Sequence, residues 1–404
     1  MSYIGKTPTP SPLTSSDIAD NIITSAKIVD GAIVTADIAD ANVTAAKLAS
    51  GTVQNQSAFK NIIINGDMSL AQRTTSKASL TGSSYETVDR FKQEMTSGGT
   101  WTQSQSTDVP TGQGFAKSLK MDCTTANGSL SSNSNLIITQ KIEGQNLQYI
   151  KKGTSSAESL TASFWVKSNK TGTYISRIRD ADNSRSISKS YTISSANTWE
   201  KKTITFAGDT TGALNNDNGT SLQLYFYLLA GTDYTSGTLA TSWEANTNAN
   251  IAVGQVNLAD STSNEWYITG VQLEAGTSAS EFEFLPVDVN LGRCQRYYYV
   301  HADGASSNKR VFNGGAYNGS LLDGTVFFPT TMRTNPSMDV VSGTNYYTAY
   351  GNGGNDAVND FNIQESNINS AGVRNDNTFS GNQGDAYFVI TTNSSAKLAF
   401  SAEL

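Results

Sequence analysis

Between residues 17 and 53 every fifth position of the chain is apolar, which is the most regular pattern in the sequence. A small or short residue lies two positions before each apolar one, and charges of alternating sign mark every second repeat. A spacing of five would scatter these side chains around an α-helix and alternate them across a continuous strand. The pattern therefore predicts very short strands separated by bends, as in a β-helix, with a core of Ile18, Ile23, Ile28, Ile33, Ile38, Val43, Leu48 and Val53.

Two arrangements of this stalk, residues 17–57, satisfy the pattern. One chain could coil upon itself, as in the pentapeptide-repeat proteins that Ala36-Asp37-Ile38 and Ala41-Asn42-Val43 resemble. Alternatively, parallel copies could wrap around a common axis. Roughly three stacked repeats plus caps are needed to bury a continuous core, and a single coil would close only about two turns. We favour the parallel homotrimer, and the single-chain solenoid remains open.

From residue 58 to 288 the pattern changes to alternation of period two, with runs separated by Gly, Asn and Ser. A change of phase across Gly270 predicts a β-bulge, and Asn65-Gly66 predicts a turn. This pattern is typical of a β-sandwich of jelly-roll type. The two clearest runs place on one face Leu160, Ala162, Phe164 and Val166, and then Leu222, Leu224, Phe226 and Leu228.

A second β-rich unit is predicted over residues 289–404, with strands at 338–341, 346–350, 386–391 and 397–401. Residues 351–384 are mostly Gly, Asn, Asp and Ser, which predicts a long loop that is either functional or mobile. The fold class is therefore all-β: a short β-helical repeat stalk followed by two jelly-roll-like β-sandwich domains.

Composition excludes several classes of function. The 404 residues carry a net charge of −7 without a basic run, so a nucleic-acid groove is not expected. Two cysteines make no disulfide framework, which fits assembly in a reducing cytosol. We expect no secretory signal peptide and no membrane insertion, because no apolar stretch has the required length.

The sequence contains little that indicates catalysis. His301 is the only histidine, and Cys294 would lie on the opposite face of a shared strand. Asp180, Asp182 and Asn183 could line a Ca²⁺ site, but the EF-hand Gly and Glu are missing and a solvated turn is the better interpretation. We therefore predict no catalytic residue, no metal and no cofactor. A glycosidase, which needs only two suitably spaced carboxylates, stays open.

Three separated segments resemble a β-sandwich module common in bacteriophage tail fibres and generally likened to carbohydrate-binding modules. They are Asn-Ile-Ile-Ile-Asn-Gly-Asp at 61–67, Ser-Phe-Trp-Val-Lys-Ser at 163–168 and Gly-Val-Gln-Leu-Glu-Ala-Gly at 270–276. Ser-Tyr-Ile-Gly at 2–5 resembles the start of many phage fibre proteins. Arg-Cys-Gln-Arg-Tyr-Tyr at 293–298 and the segment 328–336 are similar to the C-terminal tip of such fibres.

The resemblance implies a tail fibre protein of the virion, assembled in the host cytoplasm, that binds a receptor on the host surface for adsorption. It implies a virion attachment segment at 1–16, the stalk at 17–57, a carbohydrate-binding-module-like sandwich at 58–288 and a receptor-binding tip at 289–404. The partners would be further copies of the chain, a tail adaptor or other virion protein, and a host polysaccharide or protein receptor. A tailspike-like polysaccharide depolymerase and a purely structural fibre segment remain alternatives.

Aromatic side chains are the best candidates for receptor contact, because sugars stack on flat rings while nearby polar groups bind their hydroxyls. If Tyr297 and Tyr299 share the inner face of a strand, Tyr298 points outward. The predicted glycan-binding residues are Tyr298, Tyr317, Tyr346, Tyr347 and Tyr350.

Overall fold

The computed structural model describes residue 28 and residues 59–304, 308–352, 354–375 and 378–404. Residues 57–404 form one compact unit. The attachment segment and the stalk, including its predicted core, lie outside the described residues apart from Ile28. That residue lies at a bend and is 43% exposed in the single chain. The stalk and its trimeric state therefore stay predictions.

The first sandwich consists of two antiparallel sheets. Sheet A has the strand order β1-β4-β5-β13-β7-β10, and sheet B has the order β12-β9-β8-β11-β6-β3-β2. A short helix, α1 (Thr232–Thr235), follows β11. The strands are β1 (Ser76–Leu80), β2 (Ser84–Tyr85), β3 (Lys92–Thr96), β4 (Thr100–Ser106), β5 (Ser118–Thr125), β6 (Asn135–Glu143), β7 (Leu160–Ser168), β8 (Gly172–Asp180), β9 (Arg185–Ile193), β10 (Glu200–Phe206), β11 (Thr220–Ala230), β12 (Glu244–Ala245) and β13 (Glu265–Ala275).

The alternation predicted for this region is confirmed. The inward side chains of β7 and β11 all lie in one buried hydrophobic core between sheets A and B. The predicted bulge is also present: the pairing of β13 with β7 shifts register between Thr269 and Gln272, and Gly270 has a φ of +62°. Asn65 adopts a φ of +59°, and its carbonyl accepts from the N–H of Met68, so the predicted turn forms as well.

The segment 61–67 packs along strand β13, the strand that carries the segment 270–276. The side-chain amide of Asn61 donates to the carbonyl of Val271 (3.1 Å) and accepts from the N–H of Leu273 (3.0 Å). The N–H of Val271 donates to the carbonyl of Gly66 at 2.9 Å. A Cβ on Gly66 would lie 2.0 Å from the carbonyl oxygen of Val271, so only glycine fits. These two motifs therefore have a structural role, since each completes the other's hydrogen bonds.

The second sandwich follows helix α2 (Val287–Gln295), which spans the predicted domain boundary at 288/289. Sheet C has the order β14-β23-β17, and sheet D has the order β19-β18-β22-β15-β16-β21-β20. The strands are β14 (Tyr298–Asp303), β15 (Arg310–Ala316), β16 (Leu322–Phe327), β17 (Ser337–Val341), β18 (Tyr347–Gly351), β19 (Gly354–Val358), β20 (Phe361–Ser366), β21 (Ser370–Asn375), β22 (Ala386–Thr391) and β23 (Lys397–Ser401).

The predicted strands of the second sandwich correspond to β17, β18, β22 and β23, but the predicted loop at 351–384 is wrong. That segment contributes β19, β20 and β21 to sheet D. Its buried apolar side chains are few, namely Val358, Phe361, Ala371, Val373 and Phe379, and most of the polar residues face the other way. Composition suggested a loop because these strands lack a continuous apolar face and glycine is frequent. Within the described residues, no helix is both long and apolar enough to cross a membrane.

Candidate functional site

Two of the five predicted tyrosines are buried and cannot contact a receptor on this surface. Tyr298 is 1% exposed, its hydroxyl donates to Asp339 at 2.5 Å, and the guanidinium of Arg73 lies 3.6 Å from its ring centroid. Tyr347 is fully buried in the core of the second sandwich. The outward orientation expected for Tyr298 was wrong, because Tyr297 precedes the strand and is itself buried at the end of helix α2.

The other three predicted tyrosines differ in how much of each ring is accessible. Tyr346 is half-buried and packs against the core of the second sandwich. Tyr350 is half-buried on β18, and its ring stacks on that of Phe388, with centroids 5.2 Å apart and planes inclined by 10°. Tyr317, in the turn between β15 and β16, is 57% exposed. Tyr317 and Tyr350 therefore remain as candidates.

Tyr350 belongs to a row of side chains across the outer face of sheet D. It lies opposite Phe388 of β22, which lies opposite Asn313 of β15. The guanidinium of Arg310 is 3.8 Å from the ring centroid of Phe388, within the range of a cation–π contact. The row thus presents two stacked rings beside a cation and an amide.

A groove of about 310 Å³ adjoins this row at Asn313, on the same face of sheet D. Gly372 lies on its floor, paired with Thr325 on one side and Glu365 on the other. A Cβ on Gly372 would meet no atom closer than 3.8 Å, so the missing side chain helps to keep the groove open. Its polar lining residues are Asn313, Asp323, Thr325, Gln364, Glu365 and Arg374.

An ion pair fixes one end of the groove. The guanidinium of Arg374 donates two hydrogen bonds to the carboxylate of Asp323, one of them at 2.6 Å. This hydrogen bonding raises the pKa of Arg374, so the cation is held firmly in its charged form. The same guanidinium lies 4.5 Å from the ring centroid of Tyr317. Arg374 therefore contacts the ring of Tyr317, while more than half of the surface of that residue is exposed to solvent.

The groove and the row together provide the two kinds of contact that a sugar needs. The partly exposed rings offer apolar area, and the surrounding amides, hydroxyl, carboxylates and guanidinium can donate to or accept from hydroxyl groups. Because Asp323 and Arg374 hold each other in position, the two side chains lose little further conformational entropy when a ligand binds.

The other residues considered for catalysis or metal binding make structural contacts. His301 bonds to the hydroxyl of Tyr299 and the carbonyl of Val311, and burial lowers its pKa. Cys294 is buried on helix α2, so the expectation that it shares a strand with His301 was wrong. No group of three or more His, Cys, Asp or Glu side chains suited to a metal occurs in the part of the chain that the structure describes.

The acidic turn that begins at Asp180 is solvated only in part, because Asp180 is buried whereas Asp182 is half-buried and Asn183 is exposed. Asp180 is fully buried, and its carboxylate lies 2.5 Å from the ammonium of Lys152. The backbone N–H of Asn183 donates to the same carboxylate. Lys152 also reaches Asp209 at 3.0 Å, so the group is an internal ion cluster. Asp180 is therefore paired with lysine, and Asp182 instead accepts hydrogen bonds from the backbone and side chain of Asn215.

A cavity of about 400 Å³ lies where the first sandwich meets helix α2, and its polar side chains hold that junction. The amide of Gln140 makes two hydrogen bonds with the backbone of Ile64 (2.7 and 2.9 Å). Arg296 pairs with Glu143 at 2.7 Å. Because these polar side chains already make structural contacts, the groove of sheet D is the better candidate site.

Several residues of the site were not found from the sequence, namely Arg310, Phe388, Asp323, Glu365 and Arg374. Phe388 lies in a strand that was predicted, but its outward orientation depends on which phase of Ala386–Thr391 faces the core. Glu365 and Arg374 lie in the segment interpreted as a loop. Only the pairing of β16, β20 and β21 brings them together with Asp323.

No protein-family model and no curated protein matches the chain. Solved structures match about half of it. The enzymatically active domain of tailspike protein 4 of bacteriophage CBA120 matches 54% of this chain at 15% identity and a TM-score of 0.29, and the match spans 21% of the tailspike chain. The C-terminal family 22 carbohydrate-binding module of Clostridium thermocellum Xyn10B matches 55% at 9% identity, with a TM-score of 0.28 and 99% of its own length covered.

A family 11 carbohydrate-binding module of Clostridium thermocellum, solved with a mixed-linked tetrasaccharide, matches 51% of this chain at 12% identity. Its TM-score is 0.25, and 97% of its own length is covered. TM-scores this low carry no argument about what this chain binds.

Proposed function

We propose that this chain is a bacteriophage tail fibre protein whose second sandwich binds a glycan of the host surface. The observation that carries the proposal is the outer face of sheet D. A polar groove there adjoins the stacked pair Tyr350–Phe388 through Asn313, and its Arg374 contacts the exposed ring of Tyr317. This combination of rings and fixed polar groups suits a ligand that has both apolar faces and hydroxyl groups.

The assignment to a phage fibre is supported by the sequence. The repeat of five over residues 17–53 suits a stalk formed by several parallel copies, and three copies would present three grooves together. Weak sites gain avidity when they are linked in this way, because the second binding event becomes intramolecular. The segments at 2–5, 61–67, 163–168, 270–276, 293–298 and 328–336 add the resemblance to fibre proteins.

We propose binding without turnover. Hydrolysis of a glycosidic bond needs one carboxyl group that carries a proton and a second that is ionised. Asp323 accepts one hydrogen bond from Arg374 on each of its two carboxylate oxygens, so both oxygens are already engaged. Glu365 is the other carboxylate that lines the groove, so Asp323 and Glu365 do not form a pair in which both carboxyl groups are free to act on a substrate.

The binding test uses an array of capsular polysaccharides and lipopolysaccharides extracted from a panel of bacterial strains. We expect the full chain to retain at least one of them. Tyr317→Ala should weaken that retention by roughly tenfold or more, as for an aromatic residue on which a ligand stacks. Tyr149→Ala is the matched control, because this tyrosine is 50% exposed on the first sandwich, away from sheet D. Equal retention of both variants would refute the site.

Two further measurements separate the alternatives. Sustained release of new reducing ends from a retained polysaccharide would indicate a depolymerase and refute binding alone. A purely structural fibre segment would retain no polysaccharide, and the free protein would not block adsorption of phage to a host strain. We expect no reducing ends and measurable blocking.

A further inference from the structure

The first sandwich carries a second set of surface aromatic residues, on the outer face of sheet A. Trp165 of β7 points away from the core because its neighbours Phe164 and Val166 point into it. Tyr267 of β13 lies opposite Lys167 of β7, two residues along from Trp165 on the same face. None of these outward aromatic side chains belongs to the hydrophobic core between the sheets. Core packing therefore does not explain their presence.

Trp165 lines a concavity of about 270 Å³ whose other wall is a cluster of three phenylalanines. The rings of Phe115, Phe282 and Phe284 lie 4.8–5.1 Å apart, centroid to centroid. Phe284 is 50% exposed. The bulge at Gly270 makes room for Phe115, since a Cβ there would lie 2.6 Å from that ring. The bulge thus shapes this aromatic concavity.

A second aromatic pair continues the surface beside Trp165. The rings of Trp199 and Tyr267 are 6.2 Å apart, and the ammonium of Lys167 lies 4.4 Å from the centroid of Tyr267. The indole N–H of Trp199 donates to Asp108 at 2.9 Å, and Lys167 pairs with the same carboxylate. Trp199 is consequently held in place by a polar contact while it remains partly exposed.

The charged side chains beside these rings are paired, and Asp122 adds one further carboxylate at 3.7 Å from Lys120. Lys167 pairs with Asp108, and Lys120 pairs with Glu265 at 2.8 Å. At the rim of the concavity, Lys201 and Glu281 add one charge of each sign. A ligand that complements such a surface needs apolar faces and many hydrogen-bonding groups, and needs no net charge.

We infer that the outer face of sheet A is a second binding site, for a neutral oligosaccharide that stacks on Trp165 and extends towards Trp199. The concavity holds one sugar ring between Trp165 and the phenylalanine cluster. The paired side chains beside it hydrogen-bond the hydroxyl groups of the adjoining rings. This site is separate from the groove of sheet D and does not depend on it.

The positions of the tryptophans provide a readout specific to this site. The chain has five, at positions 101, 165, 199, 243 and 266, and all lie in the first sandwich. Trp101 and Trp266 are fully buried. Tryptophan emission therefore reports a ligand on sheet A and is insensitive to direct contact with sheet D.

The experiment titrates the full chain with neutral hexasaccharides of glucose, xylose, galactose and mannose while tryptophan emission and calorimetric binding are measured. We expect at least one of them to shift the emission. Trp165→Ala and Phe284→Ala should each weaken calorimetric binding by roughly tenfold or more. Trp243→Phe is the matched control, since this tryptophan lies beside Lys152 rather than on sheet A, and it should leave affinity unchanged.

The outcomes distinguish this site from the groove of sheet D. Tyr317→Ala should leave the tryptophan response intact even where it abolishes retention on the polysaccharide array. Absence of any emission change and of any calorimetric signal at millimolar hexasaccharide would overturn the inference. So would a response that survives unaltered in both Trp165→Ala and Phe284→Ala.

Discussion

Substitution of Glu403 by Gln should destabilise the protein by removing the charge that neutralises a buried arginine. Arg90, at the start of the first sandwich, is 1% exposed, and the side chain of Glu403, near the C-terminal end of the second sandwich, is 7% exposed. The two form an ion pair, and Arg73 reaches the same carboxylate at 3.3 Å. The variant keeps the shape of the side chain, so its effect isolates the charge.

The expected cost follows from the environment of Arg90. Removing one partner of a buried ion pair costs about 3–5 kcal/mol, because the other charge stays buried without compensation. Arg90 keeps a hydrogen bond to the carbonyl of Lys141 (2.8 Å) and a contact with the ring of Tyr297 at 3.4 Å. These contacts stabilise the remaining cation, so we expect the lower end of the range, about 3 kcal/mol.

Urea denaturation followed by two signals tests this prediction. Tryptophan emission reports the first sandwich, whereas far-ultraviolet circular dichroism reports both. Because the pair joins the two sandwiches, we expect coincident transitions in the natural protein and separate ones in Glu403→Gln. Glu158→Gln is the control. The side chain of Lys151 is 54% exposed and that of Glu158 is 42% exposed, so this ion pair should contribute less than about 1 kcal/mol. A loss below about 1 kcal/mol in Glu403→Gln would refute the reasoning.

Three further outcomes are expected from urea denaturation. Lys152→Met leaves two buried aspartates without their shared cation and should cost about 3–5 kcal/mol; a cost within about 1 kcal/mol would contradict this. Gly66→Ala places a Cβ against the carbonyl of Val271 and should cost about 2 kcal/mol or more, whereas Gly82→Ala, which meets no atom within 4 Å, should be nearly neutral. Burial raises the pKa of Asp89 from its ordinary 3.8 to about 6. Between about pH 4 and pH 6 the folded state therefore keeps a proton on Asp89 that the unfolded state has lost. The free energy of unfolding that depends on Asp89 is accordingly highest below about pH 4 and falls as the pH rises towards 6. In Asp89→Asn the free energy of unfolding should fall by about 3 kcal/mol less over this pH range than in the natural protein. An equal fall in the variant and the natural protein would contradict the prediction.

The sequence predicted strands well where one face is apolar and the other polar. β7 follows this rule, and so do β17 and β23. The bulge at Gly270 was predictable because inserting one residue moves every later side chain to the other face. These features are local, and a short window of sequence contains the information that specifies them.

Features that depend on distant pairing were not predictable. Strands β19, β20 and β21 lack a continuous apolar face, and their place in sheet D is set by hydrogen bonds to other strands. Tyr298 and Tyr347 have the same chemistry as Tyr317, yet the first two are buried by the junction and the core. Whether a tyrosine is exposed depends on the tertiary structure. The sequence therefore indicated that tyrosines could contact a sugar, but it did not show which of them are exposed.

The junction between the sandwiches matters for binding as well as for stability. Besides the Arg90–Glu403 pair, Arg333 donates to the carbonyls of Ala402 (2.7 Å) and Asn218 (3.0 Å) and so bridges the two sandwiches. Fixed charges and hydrogen bonds of this kind limit relative motion of the two proposed binding faces. A ligand long enough to reach both faces would then gain from a constant separation, because effective concentration falls when the connection between two sites is loose. Glu403→Gln should accordingly weaken binding of a long polysaccharide more than binding of a hexasaccharide, and equal weakening of both would show that the faces act independently.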